Sequence, residues 1–351
     1  MAATITDVAK LAGVSHQTVS RVLNDGVNVR PATRERVERA ISELRYRPSA
    51  AARALATRKT RTIGLIMTGG PLFGPSSTML AFDESARLAG YHVSIATMST
   101  IDRQSMIDAV DFLLAQEVEA LVLVVADEVV FDAIAGLDIS VPLVTAESSH
   151  RSGFHSVAID QYSGARAATA HLLDLGHDRV VHVAGPRWSV DAAERERGWR
   201  DEMVSRALPT RSPIVGDWSP ASGFAIGQEL VATDALAAGG RPSAIFCAND
   251  QMTVGLIRAL SDAGVQIPRD VSIVGFDDIP ESRFLRPALT TVRQDFTDLG
   301  SRLMAAVLAA LEGDQAPPPS DSATRLIVRG STAAPRRADA RTPLSNRESR
   351  S

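Results

Sequence analysis

The stretch from Ile5 to Asn24 narrows the possible folds of this chain more than any other. It reads as two short helices around a tight turn. Val8, Leu11 and Ala12 give the first helix one apolar face. Gly13-Val14 breaks it, because glycine takes left-handed backbone geometry at little cost. Ser15 is placed to cap the next helix by accepting a hydrogen bond from a free backbone N–H. Val19, Val22 and Leu23 form that helix's buried stripe, leaving His16, Gln17, Ser20 and Arg21 at its start and on its outer side. This is the layout of a helix-turn-helix, whose second helix enters the DNA major groove with its N-terminal residues over base edges.

A third helix follows. Pro31 suits its first position, and Val37, Ile41 and Leu44 recur at helical spacing, with Arg34, Arg36 and Arg39 elsewhere on its surface. It is expected to end before Pro48, since the residue ahead of a proline is pushed out of helical geometry. The alanine-rich stretch from Pro48 to Ala56, with Ser49 as a cap, is too short to hold as an isolated helix in water. It is expected to form conditionally, on DNA or against a partner copy.

A chain of 351 residues exceeds one ordinary core and implies two or three domains. Net charge divides along the chain: residues 1–61 hold 12 Lys and Arg against 5 Asp and Glu, the remainder 25 against 36. A basic head on an acidic body is what nucleic-acid binding by one end requires. No apolar run is long enough to cross a bilayer, so no membrane partner is expected. The N-terminus leads directly into the first helix, and no signal peptide is expected. The single cysteine, Cys247, excludes an internal disulfide and a cysteine metal cluster. Together these features point to the cytoplasm.

From Thr62 the pattern changes to short apolar runs alternating with amphipathic helices. Thr62 to Thr68, Val93 to Ala96, Ala120 to Val125 and Pro142 to Thr145 read as buried parallel strands. A second set is Ser156 to Ile159, Val180 to Ala184, Ala244 to Ala248 and Ser272 to Gly275. Helical patterns such as Ile107 to Leu114, Ala165 to Leu175 and Val254 to Leu260 lie between them. Continuous apolar strands alternating with helices mean parallel sheets covered on both faces, here in two similar α/β lobes. Ligands of such sheets bind at the carboxyl ends of the strands, and clefts between lobes are common small-molecule sites.

The polar candidates stand just after strands. Glu147 follows the Val144 strand, Asn249-Asp250-Gln251 the Phe246 strand, and Asp277-Asp278 the Val274 strand, while Trp218 closes Gly216-Asp-Trp. Sugars need carboxylates and amides for vicinal hydroxyls and an aromatic face for the apolar side of the ring. Each residue alone also has a plainer use: Asp250 as a cap of a helix over 251–260, Asp278 as the tie of a turn.

The segment Val8-Ala, Ala12-Gly-Val-Ser15, Thr18-Val-Ser-Arg-Val-Leu-Asn24, Thr33-Arg, Val37, Leu44, Tyr46, Pro48, Ala51-Ala and Leu55 resembles the N-terminus of lac repressor family (LacI/GalR-type) regulators, nearest in pattern to the family's namesake. The resemblance continues through Ala184-Gly-Pro186, Gly198-Trp199, Gly216-Asp-Trp218-Ser, Ser222-Gly-Phe224, Ala248 to Met252, Val274 to Asp278 and Leu289 to Phe296, and covers about 1–330. It implies an all-α helix-turn-helix head over 1–47, a hinge helix or linker over 48–61, and a two-lobed, periplasmic-binding-protein-like α/β body over 62–330. It assigns 62–160 plus about 292–322 to one lobe and 161–291 plus about 323–330 to the other. Residues 331–351, rich in Arg, Ser, Ala and Pro without apolar period, read as a disordered tail.

The resemblance also implies site residues. For DNA they are Thr4, Ser15, His16, Gln17, Thr18, Ser20, Arg21, Asn24, Tyr46 and Leu55. His16-Gln17 falls on the dipeptide that reads base edges, and glutamine bonds bidentately to adenine as arginine does to guanine. Leu55 matches a wedge that unstacks base pairs in the minor groove. For the effector they are Leu72, Pro75, Ser76, Glu147, Asp191, Arg195, Trp218, Asn249, Gln251, Phe276, Asp277, Gln294 and Phe296. Arg195, Asn249 and Asp277 match the groups that hold ligand hydroxyls, Trp218 the stacking aromatic, Gln294 a hydroxyl partner, and Leu72 and Phe296 the apolar wall. Departures stand at His16 and Phe276, where the namesake has tyrosine, at Glu147 (aspartate there), at Asp191 (serine there) and at Phe73-Gly74 on the cleft edge.

The enzyme readings fail on motif. His171, His177 and His182 lack a metal spacing, and there is no Walker loop, no G-x-G-x-x-G and no G-x-S-x-G. No catalytic residue, cofactor or metal is therefore expected. The reading is a homodimeric repressor of carbohydrate genes that leaves operator DNA when a sugar, galactoside-type among the options, closes the cleft. One alternative is a corepressor-type member that takes a purine or a sugar phosphate. Another is a solute-binding protein for transport, which the missing leader and the DNA head oppose. The namesake tetramerises through a C-terminal leucine-heptad helix. The tail here has only Leu344 after Gly330, with Pro335 and Pro343, so a dimer is expected.

Overall fold

The computed structural model describes residues 3–23, 29–46, 59–68, 70, 72–100, 102–124, 134, 136–137, 139–148, 155–233, 243–313 and 321–335. The chain divides into two compact units, Met1–Arg61 and Thr62–Ser351. The expected hinge helix and its Leu55, like Asn24, lie outside the described residues.

The first unit holds α1 (Ile5–Ala12), α2 (His16–Leu23) and α3 (Pro31–Leu44). Gly13 ends α1 at φ 64°, the left-handed turn its lack of a side chain permits. Val8, Ala9, Ala12, Val19, Val22, Val37 and Ala40 form the core, with Ile41, Leu44 and Tyr46 packed against it. Leu11, expected inside, is 47% exposed. On so short a helix the buried arc runs through Ile5, Val8, Ala9 and Ala12, and Leu11 falls on its flank.

In the second unit, β1 (Thr62–Thr68), α4 (Phe73–Leu88), β2 (His92–Met98), α5 (Arg103–Leu114), β3 (Ala120–Val124), β4 (Leu143–Ala146) and β5 (His155–Val157) build the first lobe. Its sheet runs β2-β1-β3-β4-β5, all parallel. The chain continues through α6 (Gln161–Asp174), β6 (Val180–Ala184), α7 (Val190–Ser205), β7 (Ile214–Val215), α8 (Pro220–Ala232), β8 (Ala244–Cys247), α9 (Asp250–Asp262), β9 (Ser272–Asp277), a 3-10 turn (Pro280–Phe284) and β10 (Thr290–Gln294). It then returns to the first lobe with α10 (Phe296–Glu312), and its last described element is β11 (Thr324–Ile327). The second sheet runs β11-β10-β9-β8-β6-β7, with only β11 antiparallel.

Three expectations need correction. The Ser156 strand, grouped by pattern with the second set, belongs to the first sheet as β5, paired with β4 with Ser156 beside Thr145, in line with the 62–160 lobe that the resemblance implied. The second sheet keeps the chain through Gln294, beyond the boundary expected near 292, since β10 pairs with β9 as far as Arg293 and with β11 at Gln294. The tail does not begin at 331. Ser331 is fully buried, accepts from Thr290 N and donates to Ile273 O, and Ala333 O takes a bond from the His177–Ser272 pair. Its short polar side chains complete the backbone bonding of β9 and β10, an ordering that composition alone does not signal.

Candidate functional site

In the head, local chemistry sets the starts of the first two helices. Thr4 closes a capping box with Asp7: Asp7 N donates to Thr4 Oγ1 at 3.3 Å and Thr4 N to Asp7 Oδ2 at 2.8 Å. Ser15 Oγ accepts from Thr18 N at 3.2 Å, the cap its position implied. His16, Gln17 and Arg21 are exposed on α2, while Thr18 and Ser20 are half-buried. Ser15, Thr18 and Arg21 line a shallow basic groove with Arg30, Thr33 and Arg36. Arg30 precedes α3, so the guanidinium groups of Arg21, Arg30 and Arg36 and the hydroxyls of Ser15, Thr18 and Thr33 face one concavity. That combination suits phosphate. The sequence reading missed Arg30 and Thr33, whose partners lie on another helix. Tyr46 packs half-buried against the head core.

The second unit contains a cavity of about 130 Å³ at the carboxyl ends of both sheets. Thr68, Val124, Ala146, Glu147 and Ser148 line it from the first lobe, with Leu72, Phe73, Gly74, Pro75 and Thr78 around the start of α4. Asp191, Arg195, Trp218, Asn249, Gln251, Asp277 and Gln294 come from the second lobe, and Phe296 and Leu299 from α10. Sheet topology alone explains the gathering: β1, β3, β4, β8, β9 and β10 all end here.

Arg195 sits at its centre, 5% exposed. Its Nε donates to Gln161 Oε1 at 2.9 Å, Gln161 Nε2 to Gln294 Oε1 at 2.9 Å, and Gln294 Nε2 to Asp277 Oδ1 at 2.6 Å. Asp277 Oδ1 returns to Arg195 Nη1 at 3.7 Å and closes a ring of four side chains. Nη1 also donates to Ala248 O, while Nη2 makes no hydrogen bond among the described residues. The guanidinium lies 3.9 Å from the Phe276 ring centroid and 5.3 Å from that of Trp218. Trp218 holds a left-handed φ of 74° and Asp277 one of 111°, strained geometry of the kind that gathers at ligand sites. The indole lies so close over Gly185 that a Cβ there would meet it at 2.2 Å.

Asn249 proves to be the cap of α9. Its Oδ1 accepts from Met252 N at 2.9 Å and its Nδ2 donates to Trp218 O at 3.0 Å, so it fixes the indole's backbone. Asp250, the expected cap, instead points into the lobe, accepting from Thr291 Oγ1 and Ile279 N. Asp278 is held by Arg329, Arg293 and Ser282. Burial raises Asp277 to about 6, opposed by Arg195 and Gln294. Burial also raises Asp191, against the pull of Arg195 and the Ser148 hydroxyl.

The two lobes touch across the cavity. Phe73 N, at the uncapped start of α4, donates to Gln251 Oε1 at 3.1 Å. Ser148 Oγ donates to Asp191 Oδ1 at 2.6 Å, and Leu72 packs against the second lobe's core. Of the thirteen effector residues expected, Ser76 and Phe276 do not line the wall: Ser76 sits in the first turn of α4 and Phe276 is the floor beneath Arg195. The wall residues Gln161, Trp188, Ser189 and Thr78 were not read from sequence. Gln161 had a usable signal, a polar residue opening a helix right after a strand.

Among the described residues, no His, Cys, Asp and Glu group could hold a metal, and no helix is long and apolar enough to cross a membrane. Residues 4–49 match the model of bacterial regulatory proteins of the lacI family, and residues 169–332 that of a periplasmic binding protein-like domain. The chain is 34% identical to the lactose operon repressor of Escherichia coli (strain K12) over 338 residues, 95% of this chain and 91% of that one. It is 33% identical to the HTH-type transcriptional repressor PurR of Actinobacillus pleuropneumoniae serotype 3 (strain JL03), covering 89% and 92%. The crystal structure of the lac repressor dimer bound to operator and the anti-inducer ONPF superposes with a TM-score of 0.85 at 32% identity, over 95% of this chain and 100% of that one.

Proposed function

This chain belongs to the lacI family of bacterial regulatory proteins, and from that membership we propose a homodimeric, cytoplasmic repressor of carbohydrate-utilisation genes, without catalytic activity, that leaves its operator when a sugar fills the cleft. The head supplies the exposed readers His16, Gln17 and Arg21 beside a basic groove. The observation that supports a sugar is the ring of Arg195, Gln161, Gln294 and Asp277 beside the Trp218 indole. It offers donors and acceptors for vicinal hydroxyls next to an aromatic face. A ligand that prefers one lobe arrangement shifts the dimer away from the DNA-binding one, and operator affinity falls by that differential.

The charged described residues on the wall are Glu147, Asp191 and Asp277 against Arg195. That balance opposes a sugar phosphate, one of the two corepressor ligands considered, and leaves a purine to the test below. A transport role leaves the DNA head without use.

The test is a gel shift on a duplex selected from a random pool, paired with a thermal-shift screen of sugars, sugar phosphates and purines. The expected result is dimeric binding to a pseudo-palindrome, weakening steeply with salt, and release by a sugar. That sugar should add about 2.7 kcal/mol of stability at roughly 100 times its Kd. Equal binding to selected and random duplexes at physiological salt overturns the repressor reading. Stabilisation by purines alone, with tighter DNA binding, replaces the inducer by a corepressor.

A further inference from the structure

We propose that Asp191 makes this cleft selective for a sugar that carries a protonated amine; the inference rests on the sugar reading above. Asp191 stands in the first turn of α7, one turn before Arg195, on the wall of the same cavity. Its Oδ1 accepts from Ser148 Oγ, and its Oδ2 takes no hydrogen bond among the described residues. Arg195 does not neutralise it by contact. The Nε and Nη1 of that guanidinium are directed to Gln161, Ala248 O and Asp277, and its ion pair is with Asp277. Among the described residues the wall carries three carboxylates and one guanidinium, and Asp191 forms no ion pair.

Asp191 is half-buried on the cavity wall, and a carboxylate partly removed from water gains from a compensating charge or a proton. Burial accordingly raises the pKa of Asp191, and nearby Glu147 adds to the shift. A neutral sugar hydroxyl satisfies one lone pair and leaves the charge in place. An ammonium satisfies the lone pair and cancels the charge, and bonds to charged groups are the stronger ones. The position also matters. Asp191 is bonded across the cleft to Ser148 of the first lobe, so a cation bound there lies where the lobes meet.

The experiment is calorimetry at neutral pH on the full chain, comparing D-glucosamine and D-galactosamine with D-glucose and D-galactose and with the N-acetylated amines, which keep the N–H and lose the charge. The amine should bind roughly tenfold to a hundredfold tighter than its neutral parent, and acetylation should remove the gain. Asp191→Asn keeps an acceptor for Ser148 Oγ, and in it the ratio of amine to parent affinity should fall to about one. Parents that bind as tightly as the amines, or a preference that survives Asp191→Asn, overturn the proposal and leave the sugar reading standing. Binding by none of the six sugars overturns the proposal, and the sugar reading falls with it only if the wider thermal-shift screen also finds no sugar.

Discussion

The head and the cleft hold their functional polar groups in opposite ways. His16, Gln17 and Arg21 stand exposed on α2, and the head's fold rests on Val8, Val19, Val37 and a few caps. Arg195, Asn249, Asp277 and Gln294 are at least nine-tenths buried and bonded to one another or to the backbone. Exposed side chains that contribute nothing to the fold are replaceable without penalty to it. The cleft groups serve the fold, and on the proposed reading the ligand as well, so their replacement carries a structural cost.

Arg195→Ala should break this symmetry of roles most visibly. It leaves Asp277 and Gln161 buried without their partner, and breaking a buried pair costs about 3–5 kcal/mol. A denaturant midpoint should report that loss, and calorimetry a sugar affinity lower by roughly tenfold to a hundredfold. Unchanged stability would mean that the cleft groups are as detachable as those of the head. Gln17→Ala tests the other side. It should leave stability within about 0.5 kcal/mol while relaxing base preference at one position per half-site by about 1–3 kcal/mol. A comparable drop in the thermal midpoint would show that the reader also supports the fold.

A pH series sharpens the contrast further. Asp277 titrates near 6, above its ordinary 3.8. Its folded form therefore favours the proton, and the cost of burying its charge grows as pH rises from 3.8 to about 6 and is constant above. Ligand hydroxyls need the ionised acceptor. Neutral-sugar affinity should be full above this window and fall below it by at most about tenfold per pH unit, a dependence that Asp277→Asn abolishes. Operator affinity of the sugar-free protein should not follow that titration.

How much of this was legible followed the distance over which the deciding contact acts. Gly13 and Ser15 act within a turn of themselves, and both do what their residue types imply. Apolar runs located the strands because a strand buried on both faces shows its period locally. Arg195, Asp277 and Gln294 of the ring were named by resemblance, but the bonding that joins them through Gln161 spans up to 133 positions and leaves no local trace. Ser331 is similar: its role depends on Ile273 and Thr290, and nothing in a Ser- and Arg-rich stretch marks it. Asn249 lines the cavity as expected and also caps α9, the use open to Asp250, which turns into the lobe instead, because adjacent residues at a strand end point in different directions.

The three passages of the chain between the lobes also set the order in which the protein is completed during synthesis. The first lobe's core joins Ile63 and Phe82 to Leu299, Leu303 and Val307 of α10. The second lobe needs Ser331 to finish β9 and β10. A ribosome that has delivered all of β1 to β5 has therefore delivered a lobe with one apolar face still uncovered, which must wait for the whole second lobe to be made before α10 (Phe296–Glu312) follows. Neither lobe is a vectorial folding unit, and the nascent body depends on protection from aggregation until its last helix emerges.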